Sequence, residues 1–355
     1  MLALTQRLPA SFGKKQQMLS TLLQCMLAPR LALRAGVRVT ELQHPDGGTM
    51  TNPSIIRHDG KWLIATRRPW YRINPDGTYI VGRDIREFST STVLIECDDR
   101  LVPQTWQDVV VAPSLAGTLD DARNGLEDPR LFEVGGRLHC FWSGLRSDSI
   151  ARVLADAARV GTQLVTPDWS DTTSTMMLAG LQGNEITTAR SLRSPFGRNR
   201  EKNWMPFGTA EQSGFVYSVN PMLVFDLRTE GPEARQPAPT HEDLVGWSGS
   251  SQLVPWNGGW LAVIHKAHRD LRGIPLFRKA VYTHRFLHLD ASFGVVSMSS
   301  PFRFQSLGIE FCSGLAIKGE GVVISYGVDD RRAMLMEMPR ADVEKMLVGI
   351  GRKQG

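Results

Sequence analysis

The stretch GLEDPRLFEVGGRLHCFWSGL, residues 125–145, decides the fold. Gly135 and Gly136 sit between two runs in which apolar residues recur at roughly every second position. A short Gly turn flanked by such runs signals two antiparallel strands. The second run, GGRLHCFWSGL (135–145), is one of five apolar runs that follow a Gly-containing turn. The others are DGKWLIATR (59–67), SGFVYSVNP (213–221), GGWLAVIHKAH (258–268) and EGVVISYGVDD (320–330). Upstream of each turn lies a segment that begins with polar residues: TNPSII (51–56), LEDPRLFEV (126–134), EKNWMPF (201–207), SGSSQLVPW (248–256) and IEFCSGLAI (309–317). Asn52 to Gly60, Asp128 to Gly136 and Ser251 to Gly259 are each eight residues apart.

A further strand-like run follows in four units: TVLIECD (92–98), MLVFDL (222–227), THRFLHLD (283–290) and AMLMEM (333–338). The second unit lacks a clean equivalent, and 146–200 reads as a longer insertion. Five units of several antiparallel strands predict an all-β fold, a five-bladed β-propeller with an N-terminal helical extension. A two-sheet sandwich leaves the five-fold similarity unexplained.

The remaining chain fits this frame. Of 355 residues, 42% are hydrophobic and 22% charged, which excludes a mostly disordered or coiled-coil chain. No apolar run approaches the roughly 20 residues that span a bilayer. The 33 Gly and 9 Trp suit many turns and short aromatic-rich strands. Cys25, Cys97, Cys140 and Cys312 show no metal-ligand spacing and read as reduced core thiols. With no signal-peptide pattern seen, the expected location is cytoplasmic. Within 14–34, Met18, Leu19, Leu22, Leu23, Met26 and Leu27 recur at helical spacing between Lys14, Lys15 and Arg30, Arg34, and Pro29 should end the helix. This helix packs on the domain or on a second subunit, or lies on an anionic membrane surface. The expected organisation is an extension over 1–45, the propeller over 46–340 and a tail over 341–355.

In a propeller, the starts of the inner strands converge on one axis. Here they carry Asn52; Glu127, Asp128 and Arg130; Glu201, Lys202 and Asn203; Ser250, Ser251 and Gln252; and Glu310. Burying such a ring is costly unless the groups pair or meet a polar ligand. Strand parity predicts that Asp128 and Arg130 face one ligand and that Glu127 faces away from it. Lys202 is placed to hold an anion. Arg67 and Arg68 precede Trp70 and Tyr71, while Trp142, Trp204, Trp247 and Trp260 accompany the strand starts. Indoles beside hydrogen-bonding side chains suit sugars, which have apolar faces and polar edges. His265, His284 and Arg285 add possible anion-binding or proton-transfer groups. No metal site is expected, since no acidic or Cys partners are spaced for one. The 41 basic against 36 acidic residues are spread out, so an anionic small ligand fits as well as nucleic acid.

GLEDPRLF (125–132) resembles the EDPR signature of glycoside hydrolase family 130 and its relatives. The likeness continues in NPSI (52–55) with its downstream Arg67, in EKNWMPF, in GGWLAVIH (258–265) and in YTHRFLHLD (282–290), spanning roughly 50–335. It implies a five-bladed propeller acting on β-mannosides by phosphorolysis or hydrolysis, with Asp128 as general acid. It further implies that Arg146, Lys202 and His265 bind phosphate, whereas a second Arg expected after Arg146 is not identifiable in 150–190. RRPWY (67–71) and EKNW depart from the usual wording.

An inverting hydrolase also needs a second carboxylate, for which Glu310 leads Glu201, Asp329 and Asp330. A phosphorylase needs cations around its nucleophile instead. Asn52, Arg67, Arg68, Tyr71, Glu127, Arg130, Asn203, Trp204, Ser251 and Gln252 are the expected sugar contacts. Arg285 joins the expected anion contacts. No cofactor is implied beyond inorganic phosphate or a sugar nucleotide as co-substrate. The expected partner is an oligosaccharide and not nucleic acid, with a homo-oligomer possible. A sugar-nucleotide-dependent mannosyltransferase and a non-catalytic glycan-binding propeller are the alternatives.

Overall fold

A computed structural model of the chain describes residues 10–73, 79–81, 90–115, 117–119, 122, 125–161, 163–165, 170–227, 241–269, 271 and 280–349. Five sheets form the blades, antiparallel apart from a short parallel edge strand, Val110–Val111, on blade 2, and the five inner-strand segments are those expected from the sequence. Blade 1 comprises Thr51–His58, Lys61–Pro69, Thr90–Cys97 and Pro103–Asp108. Blade 2 comprises Leu126–Val134, Arg137–Arg146, Thr173–Gln182 and Glu185–Leu192. Its third strand thus exists inside the region read as an insertion, after a helix over Asp148–Val160. Blade 3 has three strands, Met205–Gly208, Ser213–Val219 and Met222–Asp226. In blade 4 the inner strand is split into Ser248–Gly249 and Val254–Trp256, beside Gly259–His268, Val281–Leu289 and Val295–Met298.

Blade 5 contains Glu310–Lys318, Gly321–Val328 and Arg332–Pro339, and its outer strand comes from the other end of the chain. Arg38–Leu42 pairs antiparallel with the strand of Glu337 through Ala333. The last residues of the region read as an extension therefore close the ring. Val348–Gly349, read as tail, likewise pairs with Ser297 and Met298 at the edge of blade 4.

Alternation explains why the ring holds. Ile64 and Trp62 point towards blade 5 and pack with Val323 and Leu335. Leu63 and Ala65, on the same strand, point the other way and meet Leu131, Cys140 and Trp142 of blade 2. Phe132 and Phe141 of blade 2 meet Trp204 and Phe215 of blade 3. Phe207 and Val216 then meet Trp260 and Ile264 of blade 4. Val263 and Phe286 meet Ile324 and Met336 of blade 5. The middle strands, such as Lys61–Pro69 and Gly321–Val328, are buried on both faces because each blade has a neighbour on both sides, whereas outer strands such as Pro103–Asp108 are largely exposed. All four cysteines are buried and unbridged.

Because Arg38–Leu42 closes blade 5, a chain starting at residue 46 should melt well below one starting at residue 36. The expected gap is about 5 °C or more, taking the strand's pairing and packing as worth a few kcal/mol in a domain of this size. Equal melting temperatures would show that the closing strand adds nothing.

Candidate active site

The strand starts converge as the repeat pattern implies, but the register there is broken. In blade 1, Thr51 faces Arg67 and Ser54 faces Ala65, so Asn52 and Pro53 oppose one residue. In blade 2, Glu127 faces Ser143 and Arg130 faces Phe141, so Asp128 and Pro129 oppose Trp142 alone. These are β-bulges, and Pro is tolerated in them because it has no N–H to contribute to the ladder. Asn52, Asp128 and Asn203 all adopt left-handed backbone, with φ of 49°, 55° and 66°. Asn and Asp tolerate that region better than most residues.

The bulge overturns the parity prediction for Glu127. Arg67 Nη2 donates to Glu127 Oε1, and Arg67 Nη1 lies 3.6 Å from Asp128 Oδ1. Two adjacent carboxylates therefore meet one guanidinium. Asn52 Nδ2 donates to Asp128 Oδ1 at 2.7 Å. Asp128 Oδ2 has no partner among the described residues, and the side chain is partly exposed. Asn52 has room only because Gly327 lacks a side chain. A Cβ there would collide with Asn52 Oδ1 and Thr51 Oγ1.

Glu127 is held on both sides. Its Oε2 accepts from Lys202 Nζ at 3.0 Å. Burial alone would raise its pKa, but Arg67 and Lys202 outweigh that and bring it down to about 2. Glu127 in turn raises the pKa of the half-exposed Lys202. Burial disfavours the charge of Arg67, yet Glu127, Tyr71, Asp128 and Asp330 raise its pKa above the usual value. Tyr71 Oη accepts from Arg67 Nη2.

Arg130 is almost fully buried without a carboxylate partner among the described residues. Its Nε donates to Ser250 O at 2.6 Å, its Nη1 to Asp128 O at 3.1 Å and its Nη2 to Asn203 Oδ1 at 3.5 Å. His265 is buried beside Phe311, over which the Arg130 guanidinium lies. Burial and Arg130 push the His265 pKa down to about 3, so the ring is neutral. Its buried Nδ1 has no hydrogen-bond partner among the described residues. Arg68 pairs with Asp46 and lies 4.6 Å over the ring of half-buried Trp70. Arg146, half-buried, ends the second strand of blade 2 opposite Thr173. Arg200, the strand partner of Ser174, reaches the same edge. It lies outside residues 150–190, and only the pairing brings it there.

Other expected site residues are turned into structure. Glu310 is buried and accepts from the backbone N–H groups of Phe304, Gln305 and Ser306, at 2.8 to 2.9 Å. It caps a loop and is not available as a second catalytic carboxylate. Glu201 likewise accepts from Ser194, Trp204 and Tyr217. Trp204 is fully buried and stacked on Phe215, so no sugar can lie on it. Trp142, Trp247 and Trp260 are also buried. Gln252 ties three blades together through Ile55 O and Leu315 O, while Ser251 Oγ bonds within blade 4. Both are buried structural groups rather than sugar contacts. Arg285 lies over Trp247 and donates to Met298, within blade 4 and away from the cluster. A cleft of about 630 Å³ lies at the opposite end of blades 1 and 2, around Lys61, Arg137 and Gly183, and holds none of these groups.

No family model and no curated protein matches the chain. Solved structures do. The β-1,2-mannobiose phosphorylase of Listeria innocua, in complex with β-1,2-mannobiose, superposes with a TM-score of 0.53 at 12% identity, over 89% of this chain and 94% of that one. A mannose phosphorylase from Leishmania mexicana, in complex with phosphate ion, gives 0.53 at 14% identity, over 96% and 98%. A structure described for the GH130 family of mannoside phosphorylases, with hydrolases that target β-1,2-mannosidic linkages, gives 0.51 at 10%, over 83% and 85%. The shared property is the five-bladed propeller, the fold the sequence resemblance implies.

Replacing Glu127 by Gln strands Arg67, so a loss of about 3 kcal/mol in unfolding free energy is expected from urea titration. The sign with pH follows from the lowered pKa. The contribution is full above about 4.5, the ordinary value, and fades as pH falls towards about 2. The difference between wild type and Glu127→Gln should shrink over that window. A difference constant from pH 6 to pH 3 would mean that Glu127 carries no such pairing.

Proposed function

We propose that the protein breaks a glycosidic bond of a β-mannoside-like sugar by phosphorolysis, with Asp128 as general acid. The observation that carries this reading is the distribution of partners around the axis. Glu127, Glu201 and Glu310 are each engaged by two or more donors, while one oxygen of Asp128 has no partner among the described residues. An inverting hydrolase needs a second free carboxylate to activate water, about 6.5–9.5 Å from the acid. A phosphorylase instead needs donors for an anionic nucleophile, and Arg67, Arg130, Lys202 and the Nδ1 of His265 are gathered there. The fold's likeness to a β-1,2-mannobiose phosphorylase and to a mannose phosphorylase supports the substrate class.

In this reading a phosphate oxygen attacks the anomeric carbon as the glycosidic bond breaks. The proton of Asp128 passes to the leaving oxygen, directly or through a sugar hydroxyl. The products are a sugar 1-phosphate and the shortened glycan. Asn52 and Arg67 fix the Asp128 carboxyl in place, and half-buried Trp70 and Tyr71, beside Arg67 and Arg68, are the aromatic groups offered to a sugar ring. Asp330 is near enough to influence Arg67 and is the carboxylate that a hydrolytic reading would enlist.

The test is incubation of β-mannosides with and without orthophosphate, and of GDP-mannose with the same glycans. Sugar 1-phosphate formed only with phosphate is expected, with Asp128→Asn slower by about 10²–10⁴ and still folded. Free sugar released without phosphate, and abolished by Asp330→Asn, would establish hydrolysis instead. GDP release coupled to glycan elongation would establish transfer. No turnover on any of these would leave a glycan-binding propeller.

A further inference from the structure

The first 40 residues contain six basic side chains, Arg7, Lys14, Lys15, Arg30, Arg34 and Arg38, and no acidic one. The remaining 315 residues hold 35 basic against 36 acidic, so the formal excess of the whole chain resides in this segment. Helix α1, Ala10–Leu27, occupies much of it. One face is fastened to the propeller. Met18, Leu22 and buried Cys25 pack on Leu271, Val281 and Leu307. The C-terminal end is clamped by Arg303, whose Nη2 donates to Met26 O at 2.9 Å and Ala28 O at 3.2 Å.

The neighbouring face is apolar and uncovered. Leu19, Leu23, Met26 and Leu27 are 58%, 56%, 54% and 79% exposed. Positions i, i+4, i+7 and i+8 form one stripe on a helix. Arg30 and Arg34 are exposed just beyond it, with Leu33 exposed between them. Arg38 turns back to pair with Glu337.

We propose that this face of α1 docks on an anionic lipid surface. Apolar side chains next to a basic, acid-free segment match a membrane interface, where the stripe enters the acyl boundary and the cations meet lipid phosphates and carboxylates. Charge decides against a second copy. An isologous contact would set one acid-free basic segment against another, with no carboxylate to neutralise either. No helix among the described residues is long and apolar enough to cross a bilayer, and the contact proposed is one along the surface.

The experiment is co-sedimentation of the full chain with vesicles of neutral phosphatidylcholine alone or with about 30% phosphatidylserine, at about 0.1 M salt. Binding to the anionic vesicles only is expected, lost at about 0.5 M salt and weakened about tenfold or more by Leu23→Gln with Leu27→Gln, and separately by Arg30→Gln with Arg34→Gln. All four side chains are exposed, so circular dichroism and melting should match wild type. No sedimentation with anionic vesicles overturns the proposal, as does equal binding to both vesicle types. A dimer in sedimentation velocity that the leucine variant dissolves also overturns it, in favour of a second copy.

Discussion

One buried guanidinium, Arg67, organises the candidate site. It lies on the second strand of blade 1 and bonds Glu127, while Asp128 of the same blade 2 strand approaches within ion-pair distance. In a regular strand these two neighbours would point to opposite faces. The left-handed residue at Asp128 removes that restriction and costs backbone strain of order 1–3 kcal/mol, which persists only where surroundings over-determine it. Here Asn52, Arg67 and Arg130 all contact Asp128 through its side chain or carbonyl.

The same geometry separates two carboxylates by role. Glu127 sits between two cations and is fixed in the charged form. Asp128 shares one cation, and its Oδ2 has no partner among the described residues. Around them the inner strands are welded by groups that look like ligands but are structural. Ser54, Ser250 and Gln252 satisfy backbone groups of other blades, so the ring resists the cost of its own buried polarity. Arg130 does both, holding Ser250 O while its charge adds to the burial that keeps His265 neutral. A neutral imidazole is able to donate or accept near an anion without competing for the same carboxylates.

The propeller was legible because its signal is repeated. The five Gly-turn units each became a hairpin, and DGKWLIATR carries both interblade faces in alternate residues. What single-strand patterns hide is the bulge, which shifts faces by one residue. Its trace is the Asn-Pro of 52–53 and the Asp-Pro of 128–129 at the same offset from a Gly turn. The fates of Trp204, Glu310, Gln252 and Arg285 were not legible either. Their chemistry suits a ligand, and only the position of distant partners, such as Phe215 for Trp204 or the amides of 304–306 for Glu310, shows them to be occupied. The ring closure by Arg38–Leu42 joins sequence ends, and neither end alone announces it.

In the proposed reaction Asp128 supplies the proton to the departing sugar oxygen. Comparing Asp128→Asn with wild type on two β-mannosides, one with a sugar leaving group and one with a dinitrophenyl leaving group, tests it directly. A leaving group that departs without protonation has no need of the acid. A fall in kcat/KM of about 10² or more is expected on the sugar-linked substrate and little change on the aryl one. Equal losses on both would contradict it and leave Asp128 as a residue that binds or positions.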